Sequence, residues 1–275
     1  MRGISVLISV YIKDSPIFLK QSLESICQQN LMPNQIVLVQ DGPLNPEISL
    51  ILAEFETRYP NLFDFVVLKE NRGLGNALRI GAEFCKYDFI ARMDADDICR
   101  RERFEKQFNF LATNPNIDVL GSNIEEFNKV PGDLNRFRNC PETHDQLVKE
   151  ISFRSPFNHP SIMIRKKALF DAGGYDGRFL LFEDYALFLR LWKSGAKFHN
   201  IQDVLLDFRV GDGLAMIKKR SGIHYFKKEN KFLNYGYNLG AFNKKQFVRN
   251  KVVRLTARLL PPKLVLFMYN LLLRK

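Results

Sequence analysis

A chain of 275 residues, 46% of them hydrophobic, can bury a sizeable core; this argues against disorder and fits one large domain or one domain with an appendage. The formal charge of +11 suggests nucleic acid until it is divided. Residues 214–275 hold 15 Lys/Arg against one acid, Glu229, while the first 213 hold 26 basic and 29 acidic residues, so the body is −3 and the tail +14.

Four scattered cysteines, with no CxxC pair and no metal-ligand spacing, read as reduced thiols of a cytosolic protein. After Met1-Arg2 comes only a strand-length apolar stretch broken by Lys13 and Asp14, too short for a signal-peptide core or a membrane span. Residues 4–11 read as a first strand, and Ser15-Pro16 supplies the N-cap and first-turn proline of a helix to about residue 29. A second strand over 35–40 runs into Asp41-Gly42-Pro43, a turn that leaves a carboxylate at the strand's C-terminal edge. A helix over 46–59, a short strand over 65–68 and a helix over 74–85 follow. This alternation predicts a parallel, doubly wound α/β sheet. Gly73-Leu74-Gly75, ahead of the third helix, lacks the third glycine of a dinucleotide fingerprint and follows the wrong strand. That helix can still offer backbone N–H groups to an anion, with Arg79 either adding charge or lying on the surface.

The stretch 88–97 is central: an apolar strand ends abruptly in Asp94, Asp96 and Asp97. Residues i and i+2 of extended chain share a face, and ligands of open α/β sheets gather at the carboxyl ends of strands. Asp94 and Asp96 can therefore meet one hard cation, Mg²⁺ or Mn²⁺, whose remaining positions suit the phosphates of a nucleotide; the alternative is a solvated acidic turn. A helix over 101–112, a strand over 117–122, a loop or hairpin over 130–141, a strand over 161–164 and a helix over 166–172 come next. His159, beside Pro160, is either a cleft residue or a packed structural histidine. Phe182-Glu183-Asp184 opens a helix anchored by Leu187, Phe188, Leu191 and Trp192, so its two acids either complement the helix dipole or supply a base. Residues 196–208 look extended and end in a polar loop containing Arg209.

The tail begins with a basic helix-like stretch over 218–231. In a helix over 247–260, Val248, Val252, Leu255 and Leu259 share one face and Lys251, Arg254 and Arg258 another, before Pro261-Pro262 stops it. The apolar run over 264–273 would rise only about 15 Å as a helix, half of a bilayer's hydrocarbon core. It cannot span. These features fit interfacial attachment to an anionic membrane surface, or packing against the body or a partner protein.

Val10-Tyr11, Asp41-Gly42, Asn71-Arg72-Gly73, Met93-Asp94-Ala95-Asp96-Asp97 and Phe182-Glu183-Asp184, in that order, make residues 1–213 resemble glycosyltransferase family 2. These are inverting enzymes of the GT-A fold, and the likeness is greatest to those that build bacterial surface polysaccharides. The resemblance implies a doubly wound, mostly parallel nucleotide-binding sheet as catalytic domain over 1–213; the charge and helical pattern of 214–275 make that stretch a basic helical membrane-associating extension. It implies a nucleotide-diphosphate sugar donor, taken as a UDP-sugar, whose base and ribose meet Tyr11 and Asp41 with Asn71 and Arg79 nearby. Asp94 would contact the ribose or a metal-bound water, Asp96 would bind Mg²⁺ or Mn²⁺, and Arg209 would approach the diphosphate. Asp184 would be the base, with Glu183, and on the same side His159, placing a lipid-linked glycan acceptor. The expected location is peripheral, on the cytoplasmic face of the membrane, with no nucleic-acid partner. Processive members carry Gln-x-x-Arg-Trp, whereas Phe188-Leu189-Arg190-Leu191-Trp192 lacks the glutamine and has Leu before Trp, which favours transfer of one sugar. Two other classes stay open: a metal-dependent nucleotidyltransferase, which should show a glycine- and basic-rich loop where Ile12-Lys13-Asp14-Ser15 stands, and a non-enzymatic membrane- or nucleic-acid-binding protein, which leaves the acids without a purpose.

Overall fold

The computed structural model describes residues 1–211 and 221–260. The apolar run at 264–273 and the start of the basic stretch at 218–220 lie outside the described residues. The first half alternates as expected: β1 (Ile4–Val10), α1 (Pro16–Cys27), β2 (Gln35–Gln40), α2 (Pro46–Arg58), β3 (Phe63–Val67), α3 (Leu74–Phe84) and β4 (Phe89–Met93). Local chemistry starts these helices. Ser15 and Asn45 accept hydrogen bonds from Phe18 and Ile48 N–H, and Pro16 and Pro46 occupy first-turn positions that need no donor. Strands β1, β2 and β4 are buried along almost their whole length, which is why they read as continuous apolar runs.

Then follow β5 (Ile98–Cys99), α4 (Arg103–Thr113), β6 (Val119–Phe127), β7 (Arg136–Arg138), α5 (His144–Glu150), a 3-10 turn (His159–Ser161), β8 (Met163–Arg165), α6 (Lys166–Asp171), α7 (Glu183–Lys193), β9 (Phe198–Arg209), α8 (Gly222–Asn238) and α9 (Lys244–Leu259). The sheet runs β3-β2-β1-β4-β8-β6-β9-β5, with β7 on β6. From β3 to β4 it is parallel, so Tyr11, Asp41 and Asp94 leave neighbouring strands at one edge. Beyond β4 it is mixed. Strand β8 enters antiparallel between β4 and β6, β9 runs parallel to β6, and β5 pairs with the end of β9 through Ile98 and Asp207. That last pairing ties the acidic turn to the chain just before Arg209.

Three departures have local causes. Strand β6 continues to Phe127 rather than stopping at Ser122, because β7 folds back on Ile124–Glu126 as a hairpin. Helix α5, which the sequence reading passes over, starts on a capping box between Thr143 and Gln146. The strand expected at Ser161 begins at Met163, since Pro160 has no N–H for a ladder and sits in a 3-10 turn instead.

Two apolar cores flank the sheet. One packs α1, α2 and α4, with Leu19, Leu52 and Phe104; the other packs α3 and α5 to α7, and takes in Phe232, Leu233, Ala241 and Phe242 from the C-terminal region. Helices α8 and α9 are thus part of the body. Arg254 and Arg258 turn inward to Glu229, which is wholly buried, at 2.7 and 2.8 Å, and Asn250 donates to the Ser152 carbonyl. Val248, Val252 and Val253 on α9 remain exposed. No helix among the described residues is long and apolar enough to cross a membrane. The four cysteines are buried and free.

Candidate active site

The edge where β1, β2 and β4 end carries the chemistry. Tyr11 is half-exposed just past β1, in a turn where its N–H donates to the Asp14 carboxylate and Asp14 N–H returns to its carbonyl, at 2.9 and 3.0 Å. Asp41 is buried and makes a knot. Its Oδ1 accepts from Arg72 N–H at 2.7 Å, its Oδ2 from Gly73 N–H at 2.9 Å, and its carbonyl from the Asn71 amide at 3.2 Å. Asp41, just past β2, thereby holds the two backbone N–H groups that lead into α3, whose cap position, Gly73 at φ +82°, has no side chain of its own to cap the helix. Arg79 is exposed on α3 and bends to Glu83, a turn further from this knot.

Asp94, Asp96 and Asp97 each place one carboxylate oxygen within 4.8 Å of the others. The turn is fixed from behind. Ser22 donates to the Asp94 carbonyl, Arg92 pairs with the Asp94 carboxylate, and Arg209 donates its backbone N–H to Asp97 and its Nε to the Asp96 carbonyl, both at 2.9 Å. Exclusion of water, and then the Asp94 charge, pushes Asp96 up to about 6 even though the residue is exposed. Asp97, fully buried, is driven well above the ordinary carboxylate range by the same causes, and its Oδ2 has no hydrogen-bond partner among the described residues. An orphaned buried oxygen among three acids calls for a proton or a cation, and an all-oxygen set suits Mg²⁺ or Mn²⁺. The residues therefore fit the group. Asp14, pushed up to about 7 by burial with Asp96 and Asp94 adding, is a fourth acid beside them; no spacing in the sequence marks it.

A pH dependence follows. Below pH 6 Asp96 is mostly protonated, so a cation must displace its proton, and Mn²⁺ affinity is expected to fall by up to about tenfold per pH unit below 6 and to level off above 7. Calorimetry in buffers of different ionisation enthalpy should record proton release near pH 6; a flat affinity from pH 5 to 8 would remove Asp96 from the cation's shell.

Arg209, expected at the diphosphate, is held from several sides. Its guanidinium lies between the rings of Phe18 and Phe127, 3.8 and 4.3 Å from their centroids, and donates to the Asp96 carbonyl, the Asn128 carbonyl and Gln21 Oε1. Three of its five N–H groups are thus committed, and it braces the acidic turn as a fixed cation.

The second pair of acids opens α7. Glu183 and Asp184 follow Phe182, whose φ of +68° is left-handed, and Asp184 Oδ1 accepts from Tyr185 N–H at 2.7 Å. The first turns of α3 and α7 meet because Gly75 has no side chain: a Cβ there would lie 3.0 Å from the Phe179 carbonyl and 3.1 Å from Glu183 Cβ. Gly75 therefore serves close packing, consistent with its failure as a dinucleotide motif. Burial and the Asp184 charge push Glu183 up to about 7, with Arg92 opposing and Asp94 adding, so Glu183 is within electrostatic reach of the acidic turn. His159 stands behind this pair, not in the cleft. It is buried and held neutral by burial and by Arg92, its Nε2 2.9 Å from the Tyr175 hydroxyl, and it keeps little exposed surface to meet the acceptor it was expected to help place. Arg92, fully buried, joins the two groups: it pairs with Asp94 and acts electrostatically on Glu183, Tyr175 and His159. A cavity of about 620 Å³ lined by Arg2, Asp88, Arg165 and Lys166 lies at the opposite end of β4 and holds none of these groups.

Comparison with known proteins bears on this constellation. The family model for glycosyl transferase family 2 matches residues 5–174. An uncharacterized glycosyltransferase of Haemophilus influenzae is 38% identical over 98% of this chain and 99% of its own length. The UDP-Gal:alpha-D-GlcNAc-diphosphoundecaprenol beta-1,3-galactosyltransferase of Escherichia coli is 36% identical over 98% and 96%. Among solved structures, S. aureus TarS 1-349 in complex with UDP-GlcNAc superposes with a TM-score of 0.68 at 15% identity, over all of this chain and 76% of that one. The mannosyltransferase PcManGT from Pyrobaculum calidifontis, in complex with GDP-Man and Mn²⁺, gives 0.65 at 15%, over 99% and 81%. At those identities the structural likeness is one of fold, the mixed, mostly parallel GT-A sheet.

Proposed function

The chain belongs to glycosyltransferase family 2, and from that premise we propose that it moves one sugar from a UDP-sugar to a hydroxyl of a lipid-linked glycan, with inversion, in surface polysaccharide biosynthesis. The observation that carries this reading is the convergence of the Asp41 knot, the Asp94/Asp96/Asp97 cluster and the Glu183/Asp184 pair around one strand edge. The names of relatives support the finer terms, since the Escherichia coli protein uses UDP-Gal and a diphosphoundecaprenol-linked acceptor and an Erwinia amylovora relative serves amylovoran biosynthesis.

In this reading Tyr11, Asp41 and Asn71 receive the base and ribose, with Arg79 a more distant positive charge. Asp96, with Asp94 and Asp97, holds Mg²⁺ or Mn²⁺. When bound, that cation supplies positive charge for the departing diphosphate. Arg209 keeps the acidic turn in place and adds a fixed charge behind it. Glu183 orients the acceptor, and Asp184 takes the proton from its hydroxyl as the hydroxyl attacks the anomeric carbon from the face opposite the leaving group. A single displacement of this kind inverts the anomeric centre. Purified protein with Mn²⁺ should release UDP from UDP-Gal or UDP-GlcNAc and extend a GlcNAc-diphosphoundecaprenol acceptor, with the opposite anomeric configuration by NMR. Release of pyrophosphate with a new nucleotide product would instead favour the nucleotidyltransferase, and no turnover across a panel of sugar nucleotides would leave a binding protein.

The C-terminal region is given to the cytoplasmic face of the membrane, where a lipid-linked acceptor is presented. Exposed Val248, Val252 and Val253 share α9 with exposed Lys244, Lys245 and Arg249, while Arg254 and Arg258 are committed to Glu229. Each cation near an anionic surface contributes about 1 kcal/mol, and apolar contact adds a salt-insensitive part. The protein should float with anionic liposomes and weaken without full release in high salt, and replacing the three valines by serine should lower binding at every salt concentration. Tighter binding to DNA than to liposomes, collapsing with salt, would overturn this placement.

A further inference from the structure

We infer that helix α8 is a positioning element for the catalytic carboxylates: Phe232 holds Phe182 in its left-handed conformation and so fixes where Glu183 and Asp184 point. The inference rests on the reading of those two acids as the groups that handle the acceptor. Among the described residues three non-glycine residues have positive φ: Asn61, Asn135 and Phe182. Asparagine enters this region readily, whereas a bulky phenylalanine there is an outlier, and such strain persists only where the surroundings over-determine it.

The surroundings come from α8. The Phe182 ring stacks on Phe232 at 5.1 Å between centroids and 16° between planes, and meets Tyr225 edge-on at 5.6 Å. Phe232 is wholly buried and also touches Tyr185, the residue after the acids, at 4.6 Å. One phenylalanine thus grips the chain on both sides of Glu183-Asp184. The grip is itself anchored, because Glu229, one turn before Phe232, is held by Arg254 and Arg258 of α9. Arg258 also lies over the Tyr225 ring at 4.6 Å, and Arg254 donates to the Phe153 carbonyl at 2.6 Å.

The experiment uses the full chain with Mn²⁺, UDP-Gal and the undecaprenol-linked acceptor, and compares Phe232→Ala, Phe232→Leu, Phe182→Asn and the double variant Phe232→Ala/Phe182→Asn. Loss of the stack should lower kcat by about 10²-fold, the cost of a small misplacement of reacting groups, with the Kd for UDP unchanged because the Asp41 knot and acidic turn are untouched. Asparagine at 182 takes the left-handed conformation without a stack, so the double variant should recover part of the kcat that Phe232→Ala loses. Hydrogen exchange at the amides of 183–186 should rise selectively in Phe232→Ala and fall back in the double variant. Phe232→Leu, which keeps bulk without a flat ring, should show the same pattern more weakly should the alanine variant not fold. Wild-type kcat in folded Phe232 variants, or losses that multiply in the double variant with general loosening of the core, would overturn the inference. An inactive wild type alongside the expected exchange pattern would instead sink the glycosyl-transfer reading and leave the positioning intact.

Discussion

Asp184→Asn is expected to bind UDP as the wild type does and to lose sugar transfer by about 10²–10⁴-fold, the usual worth of a positioned general base. The amide keeps the size of the carboxylate and its side-chain oxygen can still accept from Tyr185 N–H, so the start of α7 should survive the change. What disappears is the negative charge that, in the proposed mechanism, receives the acceptor's proton. Glu183 is the competitor for that role, since burial and the Asp184 charge push it up to about 7. Removing the Asp184 charge lowers that pKa, so Glu183 is more fully ionised in Asp184→Asn than in the wild type at the same pH. Activity that survives and rises with pH through a lowered midpoint would therefore hand the proton to Glu183. Glu183→Gln should raise the acceptor KM more than it lowers kcat; the reverse split, with Asp184→Asn near wild type, exchanges the two roles.

Asp96→Ala should abolish cation-dependent UDP binding and reduce turnover by orders of magnitude, matching EDTA treatment of the wild type. Among the three clustered acids Asp96 is the exposed one, whereas Asp97 is buried against Arg209 and Asp94 is paired with Arg92. The effect on stability should run the other way. Asp96 is pushed from the ordinary carboxylate range up to about 6 in the folded protein, so its ionisation opposes folding progressively from about pH 4 to pH 6 and fully above that. Deleting the carboxylate at pH 7 without cation should leave Tm unchanged or higher. Asp94→Ala should differ, because it strips a fully buried arginine of its ion-pair partner, and Tm should fall. Undiminished turnover in Asp96→Ala or in EDTA would take the cation out of the mechanism.

The sequence by itself determined the parallel half of the sheet and the composition of its rim. The bounds of β1, α1, β2, α2, α3 and β4 lie within two residues of those read from it, since strands buried on both faces and helices opened by Ser15-Pro16 or Asn45-Pro46 announce themselves over a few neighbouring residues. That Asp94 and Asp96 would meet was legible from their spacing, but Asp97 joins them because the chain turns at Ala95-Asp96 instead of continuing extended. Tertiary structure decided what faces them. Arg209 was expected to approach the diphosphate; that it is also clamped between Phe18 and Phe127 could not be read, since nothing near Arg209 in the chain names either ring. His159 was open to two readings until Tyr175 and Arg92 closed over it. The tail looked like an appendage because its charge differs from the body's, but Phe232 and Phe242 enter the main core and its lone acid, Glu229, draws two of its arginines inward. Backbone propensity and side-chain periodicity act over one or two turns and can be read locally. The partner of a buried charge or ring is selected by which distant surfaces the topology presses together, as where the pairing of β9 with β6 sets Arg209 opposite Phe127.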